Sequence, residues 1–147
     1  MMEITKIFTF DAAHYLTKYH GKCEKLHGHT YKLEVTVQGD VQESGMVLDF
    51  MILKKIITDR VLKKLDHSNL NDIIDNPSSE NLVVWIWQQI SPLAKHLQSI
   101  FQNKNINQEI KDLIQGDFKI DPINTSNIKL KKIKLWETPT SYVSYQK

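Results

Sequence analysis

Between His29 and Gly39 the chain alternates strictly. His29, Tyr31, Leu33, Val35 and Val37 take every second position, with polar residues between them. A period of two is the mark of a strand with one face in the core. His29 is in phase with Tyr31 and Leu33, so its imidazole belongs at the mouth of the buried side unless a bulge changes the phase. His27 lies two residues earlier, and positions i and i+2 of a strand share a face. Gly28 leaves room between the two rings. His14 sits at the end of a second β-rich segment, Ile4–His14. Three imidazoles with one open position are a common way to hold catalytic zinc, and His14, His27 and His29 are the candidate ligands.

The length of 147 residues suits one domain, 1–147, with a core large enough to fold alone. The net charge of +2 is small and its signs are mixed. Lys129, Lys131, Lys132 and Lys134 largely alternate, as on the wet face of a strand, and do not suggest a nucleic-acid patch. A single cysteine excludes an intrachain disulfide, so nothing argues for secretion. The first residues lack the basic-then-apolar design of a signal peptide. No apolar run approaches a membrane span. The expectation is a cytoplasmic protein with no nucleic-acid or membrane partner.

A loop from about Leu16 to Leu26 joins the first two strands. Gly39-Asp40 and Ser44-Gly45 mark turns. A helix then carries Leu53, Ile56, Ile57, Val61, Leu62 and Leu65 on one face and stops near Asp66-His67. After an Asn- and Asp-rich loop, Ser78 or Ser79 caps a second helix bearing Leu82, Val83, Ile86, Ile90, Leu93, Ala94 and Leu97. Pro92 should kink or break it. Residues 98–127 form a polar insertion, with room for a short helix near Gln108 to Ile114. Ile128–Glu137 and Ser141–Tyr145 read as closing strands around a Thr138-Pro139-Thr140 turn. The class is α+β, an antiparallel sheet with both helices on one face.

Cys23 lies four residues before His27 and leaves three readings open. It is an inert buried thiol, a fourth metal ligand closing a structural site, or a proton-transferring thiolate beside the metal. Asp66-His67, where the first helix stops, is either a histidine favoured by the helix dipole or an oriented acid/base pair. Adjacent side chains meet only if the backbone turns between them. Glu137, at a strand end, is either an ordinary exposed carboxylate or, in a pocket, an acceptor of two hydrogen bonds from a guanidine-like edge such as a pterin's. Ser79 and Glu80 suit a helix cap better than ligand contacts. His20 and His96 have no comparable context and are expected in solvent.

Six segments occur in one order: Phe10-Asp-Ala-Ala-His14, Cys23-x-x-x-His27-Gly-His29, Gly45-Met-Val-Leu-Asp49-Phe50, Leu65-Asp-His67-x-x-Leu70-Asn71, Pro77-Ser-Ser-Glu80-Asn-Leu82 and Trp136-Glu137-Thr138. Together they resemble the 6-pyruvoyl-tetrahydropterin synthase superfamily, most closely its 6-carboxytetrahydropterin synthases of queuosine biosynthesis. The resemblance implies a tunnelling fold: a four-stranded antiparallel sheet with two helices, sheets joining into a barrel across a homohexamer made of two trimers. It implies that His14, His27 and His29 bind zinc and that Cys23, Asp66 and His67 are catalytic. It also implies that Glu137 anchors the pterin, with Ser79 and Glu80 in the substrate-binding segment. The implied reaction converts 7,8-dihydroneopterin triphosphate to 6-carboxy-5,6,7,8-tetrahydropterin, acetaldehyde and triphosphate. A pyruvoyl-forming synthase on the same fold, and a non-catalytic zinc-stabilised pterin-binding protein, are the alternatives.

Overall fold

The computed structural model describes residues 1–103, 105, 108, 112 and 125–147. Strand β1 (Met2–His14) pairs antiparallel with β2 (His27–Gly39) over its whole length, from Met2 opposite Gly39 to His14 opposite His27. Strand β3 is the two-residue Ser68–Asn69, and the closing strands are β4 (Lys129–Thr138) and β5 (Ser141–Tyr145). The order across the sheet is β3-β1-β2-β4-β5. Four strands are antiparallel, as the sequence leads one to expect. The fifth, β3, is an addition: it runs parallel to β1, pairing Ala12 with Ser68 and Ala13 with Asn69. Two residues of Ser-Asn carry no periodic signal. The pairing exists because the chain leaves the first helix beside β1.

Alternation decides the faces. Phe8, Phe10, Ala12 and His14 of β1 are buried, as are Tyr31, Leu33, Val35 and Val37 of β2. Phe10 stacks on Tyr31 with ring centroids 5.0 Å apart. No bulge interrupts β2 between His27 and Tyr31, so His29 keeps the phase read from the sequence. The irregularity lies further along, where Thr36 faces Lys132 but Val37 faces Leu130. That bulge lets Leu130 and Ile133, three apart, both reach the core and leaves Lys131 exposed. On the opposite face Lys32 lies 4.2 Å from the Trp136 ring centre and Lys134 4.4 Å from that of Tyr142.

The helices cover the apolar face. The first begins at α1 (Phe50–Ile57), where Asp49 caps the Met51 N–H at 2.7 Å. It widens into one π-helical stretch, Thr58–Leu62, and ends in α2 (Lys63–Leu65). Ile52, Leu53, Ile56, Ile57, Val61 and Leu65 point inward. The second helix is cut by Pro92, which offers no N–H to continue it, into α3 (Ser79–Ile90) and α4 (Leu93–Gln102). The structure therefore takes Gln98–Gln102 out of the polar stretch and into α4, with Ile100 buried. Of the short helix expected over Gln108 to Ile114, all but Gln108 and Asp112 lies outside the described residues. Among the described residues no helix is long and apolar enough to cross a membrane.

Candidate metal and catalytic site

The antiparallel register sets His14 directly opposite His27, with His29 one step along on the same face. One ring nitrogen from each of the three lies within 4.8 Å of the others. Their hydrogen bonds define the tautomers. His14 Nδ1 donates to the Pro77 carbonyl at 2.7 Å, and His27 Nδ1 donates to the Lys25 carbonyl at 2.7 Å. A carbonyl only accepts, so in each neutral ring the proton sits on Nδ1 and Nε2 presents a lone pair. Those two Nε2 atoms face each other at 3.1 Å. The third, His29 Nε2, is buried without a hydrogen-bond partner. Three converging nitrogens, two with their far sides fixed by carbonyls, are what a bound cation requires of imidazole ligands. The residues present therefore fit a metal ion.

Electrostatics point the same way. Burial lowers the His29 pKa from its ordinary value and facing His14 and His27 adds to this, against the pull of Glu137. The neutral ring is the ligating form. Tyr31, fully buried beneath the cluster, places its hydroxyl 3.4 Å from His14 Nδ1. Burial, with Glu137 nearby, raises its pKa, so the phenol stays neutral.

Glu137 reaches the cluster from β4. Its Oε1 is 3.6 Å from His29 Nε2, and its Oε2 accepts from Ser79 Oγ at 2.5 Å. Ser79 is thus not the cap of α3. Ser78 is, accepting from the Asn81 N–H at 3.2 Å. Ser79, one residue on, turns inward and holds the carboxylate. Glu80 is exposed in the first turn, where its charge favours the helix dipole.

Asp66 and His67 do face each other. His67 adopts φ 57°, a left-handed conformation that turns the chain sharply. Its Nδ1 comes 3.1 Å from Asp66 Oδ1. Asp66 Oδ1 also accepts from the Asp11 N–H at 3.0 Å, the main reason its carboxyl lies below the usual carboxylate range, with His67 adding to the effect. An open cavity of about 590 Å³ lies against the outer face of the β1–β2 ladder, where Asp11, Thr30 and His67 line it; the His29 ring points to the other face, with His14 and His27.

Cys23 sits half-buried on a short 3-10 turn, Lys22–Glu24, whose loop is closed by Leu16 N–H donating to the Cys23 carbonyl at 2.8 Å. Its thiol does not join the three histidines within ligating distance. The geometry of the chain therefore gives no support to Cys23 as a fourth ligand. His20 is exposed, as read from the sequence. His96 is not: it is half-buried and its Nε2 donates to the Gln89 carbonyl at 2.9 Å, across the break at Pro92. Sequence reading missed Asp11, whose one signal is a charge between Phe10 and two alanines at the end of a strand.

The model of the family described as 6-pyruvoyl tetrahydropterin synthase matches residues 3–147. The chain belongs to that family. It is 37% identical to a 6-carboxy-5,6,7,8-tetrahydropterin synthase of Haemophilus influenzae, with 99% of each chain covered. It is 40% identical to a dihydroneopterin monophosphate aldolase of Pyrococcus furiosus, covering 88% of this chain and 83% of that one. Among solved structures it resembles the 6-pyruvoyl tetrahydropterin synthase of Caenorhabditis elegans, with TM-score 0.68 and 25% identity over 99% of this chain and 95% of the other. The sheet of the single chain is open, as a strand order running from β3 to β5 requires.

Proposed function

We propose that this protein converts 7,8-dihydroneopterin triphosphate to 6-carboxy-5,6,7,8-tetrahydropterin, acetaldehyde and triphosphate, as a step of queuosine biosynthesis. In this reading it works in the cytoplasm as a homohexamer of two trimers whose open sheets close into barrels. The observation that carries the reading is the convergence of ring nitrogens from His14, His27 and His29 beside a Glu137 carboxylate held by Ser79. The similarity to the Haemophilus influenzae synthase along the whole chain supports the same substrate class.

Each residue then has a task. Glu137, steadied by Ser79, accepts the amino and ring N–H groups of the pterin. His14, His27 and His29 hold Zn²⁺, which supplies Lewis acidity toward the hydroxyls of the substrate side chain. His67 moves a proton at its free ring nitrogen, while Asp66 holds the Nδ1 proton and so fixes the tautomer. Cys23, as thiolate, exchanges the other proton.

Mass spectrometry of the products formed by zinc-loaded protein from 7,8-dihydroneopterin triphosphate tests the reading. A carboxylated tetrahydropterin with acetaldehyde is expected. A pyruvoyl product would keep the site and change the reaction. No turnover with metal bound would leave a pterin-binding protein.

A further inference from the structure

The two halves of the Asp-His pair are both tied to one residue on another element, Asp11 of β1. Its backbone N–H donates to Asp66 Oδ1 at 3.0 Å, and its carbonyl accepts from the His67 N–H at 2.7 Å. These bonds pin the sharp turn at His67 against the sheet. Its side chain does something separate. The Asp11 carboxylate is exposed, on the face of β1 opposite His14, and accepts from Thr30 Oγ1 of β2 at 2.5 Å. An oxygen of Asp11, an oxygen of Asp66 and a ring nitrogen of His67 all lie within 4.8 Å of one another. The imidazole therefore stands beside two carboxylates, one in contact through Nδ1 and one held a short way off by a threonine. Asp11 and Thr30 line the same cavity as His67.

We propose that the Asp11 side chain is a positioning residue for His67. Its charge, fixed in place by Thr30, stabilises the imidazole when it carries the proton of the reaction. The inference rests on the acid/base role given to Asp66 and His67 above. Among the described residues, the charged and titratable groups against the ring are Asp66 on its own turn and Asp11 on β1. A unit charge within about 5 Å at such an exposed site changes a proton-transfer rate by about five- to tenfold at most.

The test is Asp11→Asn. This variant keeps the backbone bonds, the side-chain shape and an acceptor for Thr30, and removes only the charge. On zinc-loaded protein kcat for dihydroneopterin triphosphate should fall about five- to tenfold, with KM unchanged within about twofold. Asp11→Glu should recover part of the loss. In parallel, the ring ¹³C–¹H resonances of His67 should move in substrate-free Asp11→Asn, while those of His20 stay put. Wild-type kcat in Asp11→Asn, or unmoved His67 resonances, would overturn the proposal. If wild type forms no product but the His67 resonances still move, the functional reading fails and the coupling of Asp11 to His67 stands. Should Asp11→Asn not fold, Thr30→Val keeps the charge and frees the carboxylate. A loss of kcat there at constant KM supports the proposal, and an unchanged kcat overturns it.

Discussion

Removing the Ser79 hydroxyl isolates the support of Glu137 from the carboxylate itself. In Ser79→Ala, Glu137 Oε2 loses the Ser79 hydroxyl as donor, an O–H···O⁻ contact of 2.5 Å. Such charge-assisted bonds contribute about 1.5–3 kcal/mol when sheltered. The Glu137 side chain is 29% exposed, so water replaces part of the loss and the low end, about 1–1.5 kcal/mol, is the better figure. Alanine in the first turn of α3 returns about 0.5 kcal/mol of helix propensity. The net destabilisation is about 0.5–1 kcal/mol, which lowers the Tm of a chain this size by about 2–4 °C or less. The larger effect should be on binding. A carboxylate free to rotate must be ordered by the ligand, and a cost of about 0.7–1.4 kcal/mol weakens pterin affinity about three- to tenfold. Isothermal titration with neopterin reads the affinity and calorimetric melting reads the stability. Ser79→Thr, which keeps the hydroxyl, should stay near wild type. An affinity unchanged within about twofold, alongside the small loss of Tm, would refute the argument that Ser79 orders Glu137 for the pterin.

Three further outcomes are expected. Cys23→Ala should keep its metal, since the thiol stands outside the histidine cluster, and lose roughly 10²- to 10⁴-fold in kcat; metal analysis and steady-state rates on the same sample check both. His27→Ala removes one of three ligating nitrogens and should weaken metal affinity by at least about 10–100-fold, the cost of losing even an outer partner of a ligand. Competition with a chromophoric chelator measures this, and stripping metal should then no longer lower Tm. Asp59 bridges Lys55 at 3.0 Å and Lys63 at 2.8 Å. Burial alone would raise its pKa, but hydrogen bonds from both lysines outweigh that and lower it below the ordinary 3.8. A depressed folded pKa gives stability that is present above the unfolded value and lost as pH falls through the folded one. Asp59→Asn should therefore be less stable than wild type at neutral pH by under about 1 kcal/mol, and the gap should close below pH 3.8 in urea melts.

Local signals were enough where a side chain's role follows from its own segment. The alternation from His29 to Val37 set the strand, its buried face and the phase of the histidines, because a strand's period is two whatever surrounds it. The apolar spacing from Leu53 to Leu65 set the first helix, Pro92 its successor's break, and Asp66-His67 the stop. Local signals do not choose between Ser78 and Ser79 as the cap; Glu137, a strand end 58 positions away in sequence, does, by drawing Ser79 inward. What the tertiary structure alone decided is how separate segments meet. The full-length β1–β2 register brings His14 opposite His27, and the carbonyls of Pro77 and Lys25 choose the tautomers. The left-handed turn at His67 makes neighbours face each other, and pairing of β3 with β1 delivers Asp11 to that pair. None of these contacts has a period or a spacing. They exist because hydrogen-bond partners far apart in the chain are fixed only when the sheet and its covering helices have packed.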